Sequence, residues 1–317
     1  MDGSLPTSPD RSLALSWTAA QRSRRTLASA ICCVGVGLHS GLKTRLALSP
    51  AEPGSGIRFR RTDLGVEIPA RHDAVVDTRL STTLGAGGAT IATVEHVLAA
   101  LAGAGVDDAL VEVDGPEVPI LDGSAEPFLF LIRCAGTADT ALPRTTLEVL
   151  KTVRVEEGDA FAELAPSALP GFEASMTIEF PDAAIGRQSL SLRVTEETFR
   201  TRLADARTFT TAAEVARSRA AGLAKGGSLQ NAVVVDGPLV LNPGGLRHAD
   251  EFVRHKLLDA VGDLSLAGAP IRGRFTGHRS GHALNNRLLR ALLADPTAWR
   301  MTAPRRVTAP RLANAAA

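Results

Sequence analysis

His255 and Asp259 stand four residues apart in the stretch Glu251-Phe252-Val253-Arg254-His255-Lys256-Leu257-Leu258-Asp259. On a helix that spacing puts both side chains on one face, one turn apart. An imidazole and a carboxylate so placed can hold two corners of a metal site, with the third ligand coming from elsewhere in the chain. Thr93-Val94-Glu95-His96 offers one, at a predicted helix start. His96, His255 and Asp259 together leave a fourth tetrahedral position for water, the pattern of a catalytic zinc, which polarises a carbonyl and makes water more acidic. Glu95 beside such a site could take the water proton. His282, after the turn-like Arg279-Ser280-Gly281, could donate to a leaving amine or steady an oxyanion. Thr208 and Phe209 close a predicted strand after Arg207. Each residue also has a plain structural reading. His255 and Asp259 suit a surface pair, His96 suits a cap or core histidine, and Glu95 suits a solvated charge favoured by the helix dipole. His39 and His282 suit glycine-framed turns.

The elements that must position these residues can be read from periodicity. Strands are predicted at 25–34, 43–49 and 57–61, with short strand-like pieces through 66–92. The pattern then turns helical over 92–103, with Thr93 as N-cap and Val94, Val97, Leu98 and Leu101 as the apolar face. A strand follows at 108–113, and a second helix opens at Gly123 and runs to about Ala135. Residues 136–143 read as a linker. Strands resume at 146–156, 160–165 and 172–180. A short helix is predicted around 199–203, a strand at 206–211, a helix at 212–223 and a strand at 232–235. The helix 251–266 carries the metal candidates. A strand at 271–276 and a helix at 282–294 close the order, and nothing periodic follows Asp295-Pro296. Strands then helices, stated once in each half, is α+β rather than the β-α alternation of a doubly wound sheet.

Composition narrows the function classes. The chain has 317 residues, of which 44% are hydrophobic, enough for one large or two ordinary domains. With 35 basic against 34 acidic residues, the net charge of +1 gives no reason to expect a nucleic-acid partner. Cys32, Cys33 and Cys134 make an odd count without a CxxC, so neither a disulfide framework nor a cysteine zinc site is expected, and a reducing, cytoplasmic setting is. No apolar run suits a signal peptide or a transmembrane helix. Residues 1–20, rich in Ser, Pro and Asp, read as frayed.

Nine segments in order closely resemble the UDP-3-O-acyl-N-acetylglucosamine deacetylases, the zinc enzymes of lipid A biosynthesis. They are RTL at 25–27, GVGLHSG at 35–41, RRTDL at 60–64, TVEHVLAALAGAGVDD at 93–108, EVPILDGSAEPF at 117–128, ARTF at 206–209, GLAKGGSLQNAVV at 222–234, LNPGGLRHADEFVRHKLLDAVGDLSL at 241–266 and SGHALNN at 280–286. The resemblance runs from about residue 24 to 295. It implies hydrolysis of the N-acetyl group of a UDP-3-O-(3-hydroxyacyl)-N-acetylglucosamine, with His96, His255 and Asp259 as ligands of one Zn2+. Ferrous iron suits the same ligand types. It further implies Glu95 as general base, His282 as the protonated histidine, Asp263 as the carboxylate holding it, and Thr208 as an oxyanion donor. Lys256, Phe180, Phe209 and Arg279 match substrate-contacting positions. Ser81 and Arg279 depart from relatives that carry cysteine and lysine there.

The family fold has two similar domains, each a β-sheet with helices, packed helix layer to helix layer and each with an insert. Here it implies an extension at 1–23, a first domain at 24–137, a second at 143–300 and a flexible tail at 301–317. A β-α-β insert at about 206–239 would form the passage for the acyl chain. A monomer is expected. Arg311–Ala317, small and apolar at its end, is a candidate recognition tag for an ATP-dependent protease. The competing class is a catalytically silent sugar-nucleotide or acyl-chain binding protein of the same fold. It predicts loss of a ligand or of the base, and all four residues are present.

Overall fold

The computed structural model describes residues 23–303. The expected N-terminal extension and the candidate protease tag lie outside the described residues. The fold is α+β, with six helices and several sheets among the described residues. In the first half a five-stranded sheet has the order 31–36, 43–50, 109–113, 57–61, 66–69. Only the 57–61 and 109–113 pair is parallel. The strand Ala109–Val113 shows why it forms: residues 109, 111 and 113 are buried and the two between are half-buried, the period of a one-sided strand. Helices α1 (Glu95–Gly103) and α2 (Glu126–Ala135) belong to this half.

In the second half a seven-stranded sheet is centred on Ile271–His278. That strand pairs with 160–165 antiparallel and with 146–149 and 172–179 in parallel. Four helices follow this sheet's strands in sequence or lie between them: α3 (Glu196–Arg202), α4 (Ala212–Ala220), α5 (Glu251–Ser265) and α6 (His282–Ala294). On α6, Leu284, Leu288, Leu289 and Leu292 are buried at helical spacing, each worth about 1.5–3 kcal/mol. Helix α5 is buried along most of its length because it packs against sheet, α6 and α1 at once.

The two halves meet where α1 lies across α5. Gly262 permits this crossing: a Cβ there would fall 2.1 Å from the carbonyl oxygen of Glu95. Within the first half, Arg24 pairs both its Nε and Nη2 with Asp108 at 2.8 and 2.6 Å. The stretch between α3 and α5 contains a β-α-β unit, Phe209–Thr211 running parallel to Val233–Asp236 with α4 between them. Helix α4 buries no residue and is held by a capping box of Thr211 and Glu214.

Several elements differ from the sequence expectation. Thr93 is not the N-cap of α1. It takes a left-handed backbone (φ 59°), Val94 precedes the helix, and the Thr93 hydroxyl donates to Glu117 instead. The predicted linker forms a strand at Thr137–Pro143, paired with Ser23–Leu27 as a two-stranded ribbon. The predicted strand 25–34 is two strands, 23–27 and 31–36. A strand at Arg187–Val194 was not predicted. Trp299–Thr302 forms an edge strand on 146–149, so residues 301 and 302 are sheet rather than tail.

Candidate metal and acid–base site

Helix α5 presents His255, Asp259 and Asp263 at successive turns, all buried. The crossing at Gly262 lays the first turn of α1 over them, which brings in Glu95 and His96. Donor atoms of His96, His255 and Asp259 all lie within 4.8 Å of one another. The two Nε2 atoms are 3.6 Å (His96) and 3.3 Å (His255) from Asp259 Oδ1. That oxygen is buried without a hydrogen-bond partner. Nδ1 of His255 is 2.9 Å from the carbonyl oxygen of Ala206 and donates to it, so Nε2 carries the lone pair toward the cluster. Burial lowers the His255 pKa to about 4 against the pull of Asp259, so the ring is neutral. Burial pushes Asp259 up, but the Lys256 ammonium, donating to its Oδ2 at 2.8 Å, helps hold it well below the usual carboxylate range. Two imidazole nitrogens and an ionised oxygen, the oxygen otherwise unpaired, fit a divalent transition metal.

Beside the ligands runs a second row. Glu95 Oε2 accepts the backbone N–H of Thr82 at 3.0 Å, and Oε1 faces His282 Nε2 at 3.8 Å. His282 Nδ1 donates to Asp263 Oδ2 at 2.8 Å, where Asn285 also donates at 2.8 Å. The hydroxyl of Thr82 donates to Asp263 Oδ1 at 2.6 Å. Burial opposes charge on His282, but Asp263 and Glu95 overcome it and raise its pKa to about 9. Burial raises the Glu95 pKa against the pull of His282 and His96. The row therefore holds a proton on His282 and a basic carboxylate facing it.

The other expected site residues fall around this core. Lys256 donates to Asp259 Oδ2 at 2.8 Å, and its Nζ is 5.9 Å from the ring centre of Phe209. Phe209 meets Phe180 and Phe252 edge-on at 5.5 and 5.0 Å and His255 at 6.3 Å. Thr208 is fixed by its backbone, donating to Gly123 O and accepting from Val233 N–H. Arg279 is exposed with a left-handed backbone (φ 52°), and its nearest carboxylate is Asp159 at 3.9 Å. Its backbone N–H donates to Thr177 O at 2.8 Å.

Three further residues, to which the sequence reading gave no role, support this core. Thr82, just before the strand Thr83–Ala86, and Asn285, on α6 within the SGHALNN segment, serve Asp263, and nothing in the sequence marks Thr82. Glu117, 2% exposed, accepts from the backbone N–H groups of His39 and Ser40 and from the Thr93 hydroxyl, which ties the Gly37–Gly41 loop to the start of α1.

The family model described as LpxC, UDP-3-O-acyl N-acetylglycosamine deacetylase, matches residues 24–294. Similar curated proteins bear the name UDP-3-O-acyl-N-acetylglucosamine deacetylase. One from Anaeromyxobacter sp. (strain Fw109-5) is 51% identical over 279 residues, 88% of this chain and 91% of the relative. One from Myxococcus xanthus (strain DK1622) is 49% identical over 286 residues, 90% of each. One from Phenylobacterium zucineum (strain HLK1) is 51% identical over 271 residues, 84% of this chain and 92% of the relative.

Proposed function

We propose, since this chain belongs to the UDP-3-O-acyl N-acetylglycosamine deacetylase family, that it hydrolyses the N-acetyl group of UDP-3-O-(3-hydroxyacyl)-N-acetylglucosamine to the free amine and acetate, in lipid A biosynthesis. The observation that carries this reading is the meeting of His96 from α1 with His255 and Asp259 from α5, beside the buried Glu95, His282 and Asp263 row. His96, His255 and Asp259 would hold the metal, taken as one zinc per chain with ferrous iron as the alternative. A divalent ion bound there supplies Lewis acidity toward water and the acetamide carbonyl.

The chain's own groups do the rest. Glu95 takes the proton of the attacking water through Oε1, since Oε2 is committed to Thr82. His282, protonated and held by Asp263, presents Nε2 to the oxygen that gains charge and to the departing nitrogen. Thr208 adds its hydroxyl to the same oxygen. The water oxygen bonds to the carbonyl carbon, the C–N bond breaks, the nitrogen leaves protonated, and acetate remains. Lys256, Phe180, Phe209 and Arg279 are assigned to substrate contact, with Phe209 and Phe180 forming an aromatic corner beside His255. The β-α-β unit is assigned to the acyl chain. We assign 24–137 and 143–300 to two domains, a monomeric state, a cytoplasmic setting and a protease-recognised tail. No helix of the described residues is long and apolar enough to cross a membrane.

The test is acetate release from a UDP-3-O-acyl-N-acetylglucosamine, with metal content, before and after chelation. Activity should vanish with the chelator and return with about one equivalent of zinc. A metal-loaded protein that releases no acetate across a range of acyl lengths would overturn the reading.

A further inference from the structure

Thr82 is buried, with 1% exposure, and makes three contacts with the machinery. Its backbone N–H donates to Glu95 Oε2, its carbonyl accepts the N–H of Val94 at 3.3 Å, and its hydroxyl donates to Asp263 Oδ1. No other described residue hydrogen-bonds both carboxylates, Thr82 reaching Glu95 through its backbone and Asp263 through its hydroxyl. Asp263 spends its other oxygen on His282 and Asn285. With the hydroxyl in place, both oxygens of this buried carboxylate are satisfied, and the plane of Asp263 is fixed. The carboxylate plane in turn fixes the tilt of the His282 ring. On the opposite side, the Thr82 N–H occupies Oε2 of Glu95 and turns Oε1 toward His282.

We propose that Thr82 is a positioning residue that sets the acid and the base against each other, coupling Asp263–His282 to Glu95 through one residue. The proposal deepens the deacetylase reading and rests on it. It assigns Oε1 as the proton-accepting oxygen of Glu95. It also gives the hydroxyl a duty that a methyl of the same shape cannot perform. Without that donor, Asp263 Oδ1 is buried and unsatisfied, and the carboxylate turns to find a partner. A misplacement of the acid by a fraction of an ångström then lowers turnover without touching the groups that grip the substrate.

The experiment compares Thr82→Val, which keeps the branched shape and loses the hydroxyl, with Thr82→Ser, which keeps the hydroxyl and loses a methyl. In metal-loaded protein, Thr82→Val should lower kcat by about 10–100-fold, with KM within about twofold of wild type. Thr82→Ser should recover most of the lost kcat. Proton NMR of the low-field Nδ1–H of His282, assigned by its loss in His282→Gln, gives a readout independent of turnover. The resonance should shift or broaden in Thr82→Val and stay in place in Thr82→Ser. If wild type turns over substrate and Thr82→Val matches it, or if both variants lose kcat equally, positioning by the hydroxyl is overturned while the deacetylase reading stands. If wild type fails to turn over substrate, that reading falls, and an unmoved Nδ1–H in Thr82→Val overturns the positioning role separately.

Discussion

Gly262→Ala is the sharpest test of how the site is assembled. The added Cβ would lie 2.1 Å from the Glu95 carbonyl oxygen, 2.9 Å from its carbon and 3.2 Å from its Cα. All three are backbone atoms, so no side chain can swing aside. Reaching ordinary contact requires α1 and α5 to part by about 1.3 Å. Alanine gains about 1 kcal/mol in helix propensity, while overpacking costs about 1–3 kcal/mol. Net destabilisation should therefore not exceed about 2 kcal/mol, or roughly 8 °C in Tm. The site is less forgiving. Glu95 and His96 ride on α1, while His255, Asp259 and Asp263 ride on α5, so the parting falls between the proposed base and the carboxylate holding the proposed acid, and between one proposed ligand and the other two. A misplacement near 1 Å costs on the order of 100-fold in rate. The expected signature is a folded protein with kcat down about 100-fold and weaker zinc affinity in chelator competition. A variant with kcat and zinc affinity within threefold of wild type would refute the idea that this backbone crossing sets the site.

Three further outcomes are expected. Glu95→Gln should keep one metal per chain by elemental analysis and lose roughly 10²–10⁴ in kcat; an active variant would remove Glu95 as the base. Arg207→Met should cost about 3–5 kcal/mol, or roughly 6–20 °C in Tm, because it strands the fully buried Glu251, which accepts Arg207 Nε at 2.8 Å and Nη2 at 3.1 Å. Acid stability should follow Asp108 and Glu251. Burial raises both, but Arg24 and the Gly56 N–H on Asp108, and Arg207 and two backbone N–H groups on Glu251, outweigh it and hold both below their ordinary values. Their folded values lie below the unfolded ones, so this stabilisation is complete above about pH 5 and fades as pH falls through the folded values, below about pH 4. Denaturant midpoints from pH 7 to 3 should show a flatter acid limb in Asp108→Asn; an unchanged limb would discount that carboxylate.

Much of the site was legible because its spacing is local. His255, Asp259 and Asp263 repeat at four residues on a helix whose apolar positions are plain, and Glu95-His96 sits at the start of another. What joins them was not legible. Gly262 reads as a helix-weakening glycine until its neighbour across the crossing is known. Thr82 stands in a strand-like piece with nothing to mark it. Thr93 precedes a helix and has a favoured capping side chain, yet Glu117, buried nearby, draws its hydroxyl away, and the backbone turns left-handed. The missed strands have a common cause. Residues 137–143 present no apolar face because their ribbon is largely exposed, and 299–302 is too short for a period to show. The Leu190, Leu192, Val194 alternation is the period of a one-sided strand, with that face half-buried and the residues between exposed.

The β-α-β unit is fastened to the first half along its backbone, at its start and in the loop after α4. Lys225 and Gly226 donate to the carbonyls of His39 and Leu38, and Thr208 donates to Gly123, where a Cβ would fall 2.0 Å from Asn231 O. Gly226 lies as close to Gly37, with a Cβ position 2.2 Å from its carbonyl oxygen. A segment riveted in this way is a wall rather than a door. On the proposed assignment of this unit to the acyl chain, a long chain would thread past it rather than wait for it to swing aside. Discrimination among chain lengths would then be written into how tightly each one seats, and so into KM, while the rate of a closing motion would set nothing. The same rivets leave α4, which buries no residue, free to vary at its surface.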